Sequence, residues 1–123
     1  MSARKPPANL ERLFHEPNRL ALMSALASAS EEGLCFGDLR VACQLTDGNL
    51  SRHLTALELE GIVHVEKTFV GRKPHTTVTP TREGLDRFGA YLGALERVLV
   101  EARAALPARH RVRAVTALRR APA

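Results

Sequence analysis

Leu45-Thr46-Asp47-Gly48-Asn49-Leu50-Ser51-Arg52-His53-Leu54-Thr55-Ala56-Leu57-Glu58 is the stretch on which the fold turns. Leu50, Leu54 and Leu57 stand at i, i+4 and i+7, which gathers them on one side of a helix over about 47–60. Thr46 suits the N-cap, where its hydroxyl accepts an orphan amide of the first turn. Asp47 suits the positive end of the helix dipole, and Gly61 suits the left-handed cap that ends the helix. Opposite the leucines lie Gly48, Asn49, Arg52, Thr55 and Ala56. Small or hydrogen-bonding groups of this kind can reach base edges in a major groove: Asn pairs with adenine, Arg with guanine.

On the N-terminal side, Cys35–Cys43 predicts a short helix with Phe36, Leu39 and Cys43 on one face, and Gln44-Leu45-Thr46 is the turn that follows. A short helix joined by about three residues to a second one is the layout of a helix-turn-helix. Further back, Pro17 fits the first turn of a helix over about 17–29. That helix buries Leu20, Met23, Leu26 and Ala27, and also carries Leu22. Leu10, Leu13 and Phe14 predict a short amphipathic helix over 8–14, after a loose, proline-containing arm at 1–7.

On the C-terminal side the period changes. Ile62–Phe69 is rich in β-branched residues, Gly71-Arg72-Lys73-Pro74 is a turn, and His75–Thr79 is a second strand. Together they predict a hairpin with a basic tip. From Thr81 the helical period returns, and Leu85, Phe88, Leu92, Leu95, Leu99, Ala102 and Leu106 alternate spacings of 3 and 4, an a/d seam ended by Pro107. The expected fold is mainly α with a small β-hairpin. It is a winged helix-turn-helix over 8–80 with a long C-terminal dimerisation helix over 81–106 and a basic tail over 107–123.

The chain has 123 residues and a net charge of +5, with 45 % hydrophobic and 25 % charged residues. That length suits one domain, and the composition is that of a globular chain. The charge is unevenly placed. Residues 1–106 carry 13 Lys/Arg and 13 Asp/Glu, whereas Arg109, Arg111, Arg113, Arg119 and Arg120 follow with no acid among them. A basic pI points to a polyanion partner only weakly when the body is neutral, so the placement of individual cations has to carry that inference. In the tail, Val112, Val115 and Leu118 recur every three residues, which fits either a basic amphipathic helix or a solvated arm. No apolar run reaches the roughly 18 residues of a membrane span, and no secretory leader is legible, so a cytoplasmic location is expected. Two cysteines are too few for a disulfide scaffold.

The segment 45–58 with Gly61-Ile62-Val63 resembles the recognition-helix region of winged-helix bacterial and archaeal transcription regulators of the MarR/ArsR type. The nearest likeness is to their small single-domain winged helix DNA-binding branch. Phe69-Val70-Gly71-Arg72-Lys73-Pro74 and Thr79-Pro80-Thr81-Arg82-Glu83-Gly84 resemble the wing of that branch and the start of its last helix, and the likeness covers about residues 10–100. It implies a homodimeric regulator, read here as a repressor, on a pseudo-palindromic operator of double-stranded DNA. Carried over by position, it places Asn49, Ser51 and Arg52 at bases and phosphates and His53 nearer the rim. Arg72 and Lys73 fall on the backbone or minor groove. Thr46 at the head of the helix and His75 on the wing join this set near phosphate. Leu10, Leu13, Leu85, Phe88, Leu92, Leu95 and Leu99 are the expected dimerisation residues. Gly84, Gly89 and Gly93 lower helix propensity and suit close helix approach. Asp47 departs from the neutral residue expected beside phosphate and is read as a capping residue.

Two other readings stand beside this one: a winged helix used as a protein-interaction module, and a redox- or metal-responsive regulator using Cys35 and Cys43. The stretch 33–39 compares with the metal-sensing motif of ArsR-type repressors but has Gly37 where a second cysteine is expected, and no other spacing supplies ligands. No metal or cofactor is therefore expected, and no nucleophile, Walker or dinucleotide motif suggests an enzyme. An effector, if one exists, falls between the recognition unit and the dimer helices.

Overall fold

Apolar side chains from every helix meet in a single cluster under a small sheet. The computed structural model describes residues 10–29 and 31–111. The elements run α1 (Pro17–Ser28), β1 (Leu34–Cys35), α2 (Phe36–Cys43), α3 (Asp47–Leu59), β2 (Val63–Val70), β3 (Lys73–Pro80) and α4 (Arg82–Ala105), then a 3₁₀ turn at Ala108–His110. The sheet is antiparallel in the order β1-β3-β2. The fold is thus mainly α with a wing, as the periodicities predict.

The core holds Leu22, Met23 and Leu26 of α1, Leu39 of α2, Leu50, Leu54 and Leu57 of α3, Val63 and Val78 of the sheet, and Phe88 and Tyr91 of α4. In α1 the inward stripe is Leu22-Met23-Leu26, with Ala25 at its border; Ala27, expected inside, is exposed. The helix expected over 8–14 does not form in the described part, where residues 12–14 make a turn closed by Phe14 N–H to Glu11 O and His15 N–H to Arg12 O. Pro17 forces Glu16 into extended backbone, so the segment cannot run on into α1 and is too short to hold a helix alone. Its value lies in Phe14, which is fully buried against Phe88 and Tyr91.

The hairpin is tighter than the sequence suggests. Val70 pairs with Lys73, which leaves Gly71-Arg72 as a two-residue turn, and Pro74 sits in the strand opposite Phe69. Only Gly71 has positive φ (66°), the II′ pattern that follows the strand twist. The short strand β1 pairs with β3 and was not legible as a strand.

In α4 the predicted seam divides. Phe88 turns into the protomer's own core, Leu95 packs partly against it, and Gly84, Tyr91 and Ala94 complete that face. Leu85, Leu92 and Leu99 instead form an exposed column at seven-residue spacing. Phe88 is therefore a core residue rather than part of an outer seam, because the Phe14 and Tyr91 rings already cover it. Leu10 and Leu13 likewise pack on the core cluster. Gly84 is required within the protomer, since a Cβ there would collide with the Ile62 backbone, whereas Gly89 and Gly93 face open space. At the C-terminus of α4, Arg111 donates to the Leu106 and Ala104 carbonyls, complementing the negative end of the helix. The 1–7 arm and the periodicity at 112–118 lie outside the described residues.

Candidate nucleic-acid interface

The recognition helix α3 is fixed at its head by sequence-local chemistry. Thr46 is extended, and its hydroxyl accepts the Asn49 N–H at 3.2 Å. The Thr46 side chain is thus occupied as a cap, while remaining on the exposed rim. Asp47 is not the cap. It pairs with Arg40 of α2 at 3.0 Å, which neutralises a carboxylate that would otherwise repel phosphate. Three buried leucines, Leu50, Leu54 and Leu57, set the rotation of the helix and turn Ser51, Arg52 and Thr55 to solvent.

Asn49 and Arg52 act together. An Arg52 terminal N–H donates to Asn49 Oδ1 at 2.6 Å, one helical turn away. The pair then presents the Asn49 amide hydrogens, the remaining guanidinium N–H groups and the second lone pair of Asn49 Oδ1. Its donors complement guanine, whose major-groove edge carries the N7 and O6 acceptors, and the Asn49 amide still matches the donor and acceptor of adenine.

His53 is largely covered. Its side chain is only 16 % exposed, its Nδ1 accepts from Arg19 Nε at 3.2 Å, and Glu16 lies 3.8 Å away. It joins α3 to the start of α1. Glu16 caps α1 by accepting the Arg19 N–H at 2.9 Å. Burial pushes its carboxyl up, but the Arg19 and Asn18 amides with His53 and Arg19 nearby outweigh that and hold it below the usual range. Arg19, Asn49, Arg52 and His53 line one open hollow. Arg19 was not foreseen as a member, because nothing in the order of residues 17–19 marks a contact with a helix 34 positions on.

Arg72, Lys73 and His75 are exposed at the wing, at and beside the two-residue turn. Register places Val65, Lys67 and Phe69 of β2 opposite Val78, Thr76 and Pro74 of β3. Alternation along a strand puts all six on one face. Between this face and α3 runs a cleft lined by Ser51, Leu54, Thr55, Glu58, Val65, Lys67 and Thr76, with Phe36 beneath. Lys67 and Thr76 were not among the expected site residues; the Val65-Lys67-Phe69 alternation is the signal that places them on this face.

The base of the unit is clamped by Arg87, which donates to Glu11 at 2.6 Å and to Glu60 at 3.2 Å, and to the Glu60 carbonyl at 3.0 Å. The hydrogen bonds that Arg87 donates to Glu11 above all, with those to Glu60, hold it firmly protonated despite partial burial. Cys35 caps α2, its sulfur accepting the Asp38 N–H, and Cys43 ends the same helix, where burial raises its thiol pKa. They stand eight positions apart along the helix, roughly 10–12 Å, beyond disulfide reach. Among the described residues no three His, Cys, Asp or Glu side chains converge as a metal site, and no helix is long and apolar enough to cross a membrane.

The architecture has counterparts among solved structures. The transcriptional regulator homologue protein from Pyrococcus horikoshii OT3 superposes with a TM-score of 0.65 at 27 % identity, over 73 % of this chain and 87 % of that one. MepR, a transcription regulator of the Staphylococcus aureus multidrug efflux pump MepA, superposes with a TM-score of 0.59 at 17 % identity, over 82 % of this chain and 75 % of that one. The second likeness is one of fold. No curated protein matches the chain. A family model described as winged helix DNA-binding domain matches residues 18–99, from the start of α1 to near the end of α4. The chain belongs to the winged helix DNA-binding domain family.

Proposed function

We propose that this protein is a sequence-specific transcription regulator that binds double-stranded DNA as a homodimer and acts as a repressor. Residues 8–80 form the DNA-binding unit and 81–106 the dimerisation helix. Helix α3 inserts in the major groove, and wing residues 70–75 meet the backbone and minor groove, once per half-site of a pseudo-palindromic operator. The observation that carries this reading is the Asn49–Arg52 pair, exposed on a helix whose rotation three buried leucines fix. Its guanidinium donors suit the acceptors of guanine, and the Asn49 amide suits adenine. The described regulator from Pyrococcus horikoshii supports the assignment to transcription. Repression follows from occupancy, since a protein seated on a promoter excludes polymerase from it.

Dimerisation is supported by the Leu85, Leu92 and Leu99 column, 39 %, 42 % and 50 % exposed on α4. Gly89 lies between the first two leucines with open space above it, so a second helix can approach closely. Leu92→Glu with Leu99→Glu is expected to yield a folded monomer in sedimentation.

DNA binding to the chain's own upstream region, followed over a salt series against unrelated duplex, tests the main claim. Specific affinity should exceed non-specific affinity by at least ~10³. Arg52→Ala should relax preference at a guanine position by about 1–3 kcal/mol. Equal affinity for every duplex would falsify sequence-specific regulation and leave a non-specific DNA binder.

A further inference from the structure

The cleft between α3 and the wing lies where two grooves of one duplex must be spanned. In B-DNA a major groove and its neighbouring minor groove are separated by a single sugar–phosphate strand. A protein with α3 in the first groove and its hairpin in the second therefore has that strand running between the two elements. Here the space between them is the cleft whose α3 wall carries Ser51 and Thr55 and whose sheet wall carries Lys67 and Thr76.

We propose that this cleft is the seat of that intervening strand, with Lys67 as the cation that meets its phosphate. The inference rests on the DNA-binding reading above and adds Lys67, Thr76 and Phe69, which that reading does not contain. Lys67 is exposed and projects from the sheet face that looks on to α3, opposite Thr76 in register. Ser51 and Thr76 supply hydroxyl donors on either side. The Thr55 hydroxyl is already donated to the Ser51 carbonyl at 2.8 Å, so it offers only an acceptor and a methyl group. Glu58, the one acid lining the cleft, accepts the Val65 N–H at 3.0 Å and so belongs to the deep, sheet-root end. The phosphate is thereby directed to the outer end, beside Lys67.

Past Lys67 and Thr76 the same face continues as Phe69 and Pro74. Phe69 is 73 % exposed, and among the described residues none covers its ring. A strand seated beside Lys67 brings deoxyribose against that ring, an apolar neighbour for an apolar surface. The seat is thus built in the order in which a nucleotide presents its parts: hydroxyls and ammonium for phosphate, then an apolar wall for sugar.

The test uses the full-length protein and a duplex selected by the wild type from a random pool, with one neutral methylphosphonate placed at each backbone position in turn. If the selection returns no preferred sequence, the reading of function fails before the seat is tested. If it succeeds, one position at the border of the major-groove site should weaken wild-type binding and have no further effect on Lys67→Ala. That variant should lower affinity for all duplexes, and its salt slope should flatten by about 0.9, the value for one phosphate. Lys67→Arg should restore the slope. Phe69→Ala should lose several-fold in affinity with the slope unchanged. A wild-type slope in Lys67→Ala, or equal penalties from every methylphosphonate in wild type and variant, overturns the seat; undiminished affinity in Phe69→Ala overturns its apolar wall.

Discussion

Helix α3 and the wing, the two elements proposed to meet DNA, are held in opposite ways. Helix α3 is tied at its head by Thr46 and the Asp47–Arg40 pair, along its length by Leu50, Leu54, Leu57 and His53, and near its end by the Arg87–Glu60 clamp. From Glu66 to His75 the wing has no buried side chain, and a backbone ladder carries it. Specific readout needs donors held in place against bases, so the fold invests its core there. A cation on the end of a ribbon needs only to be near a phosphate, and the ribbon opens locally at little cost to the whole.

If that contrast is right, substitutions should separate stability from affinity along the same line. The largest expected effect is Leu50→Ala. The side chain is fully buried beneath the Asn49–Arg52 pair's helix, and its loss should destabilise the fold by about 2–5 kcal/mol in denaturant titration. An unchanged midpoint would break the claim that α3 is core-anchored. Next comes Gly84→Ala, at the root of the wing, where the added methyl meets Ile62 backbone that cannot swing aside. Overpacking of this kind costs about 1–3 kcal/mol. Gly89→Ala, one and a half turns on and facing open space, should instead leave monomer stability level or slightly raised.

The tip should behave in the reverse sense. Arg72→Ala with Lys73→Ala is expected to change stability by less than ~0.5 kcal/mol, yet to weaken binding to every duplex and flatten the salt slope. Retained sequence preference in that double variant, with preference lost in Arg52→Ala, would sharpen the division between reading and anchoring. An undiminished affinity would instead favour a winged helix used on a protein partner.

The same contrast decides what the sequence could reveal. Leu50, Leu54 and Leu57 were legible because a buried stripe leaves a period, and Thr46 and Gly61 because caps have local signatures. The two stripes of α4 were read as one. Leu85, Leu92 and Leu99 lie on a face adjoining that of Phe88, Tyr91 and Leu95, and spacings of 3 and 4 step from one face to the other. Strand β1, at two residues, has no period to show. Long-range polar pairs were invisible for a different reason. The Arg19–His53 contact spans 34 positions and the Arg87–Glu11 contact spans 76, and each is set by helix packing rather than by neighbours in the chain. Asn49 and Arg52 were found as residues, but their coupling was not, because a hydrogen bond between two exposed side chains leaves no mark in the order of residues.

The smallest expected effect concerns the tie between α1 and α3. Glu16 has its folded pKa depressed below 4.5, because hydrogen bonds from the Arg19 and Asn18 amides and nearby positive charge prevail over burial. A depressed carboxyl pKa contributes stability that is present above the unfolded value and lost as pH falls through the folded one. Glu16→Gln should therefore be slightly less stable than wild type at neutral pH, and the two should converge in acid as the carboxylate takes up its proton. His53 adds a second arm, since its Nδ1 accepts from Arg19 and so joins α3 to the start of α1. His53→Leu removes that acceptor and should lower DNA affinity slightly while the protein stays folded. Equal affinity in His53→Leu and wild type would show that the tie between the helices is packing alone. The core beneath α3 would then suffice to hold its reading edge in place.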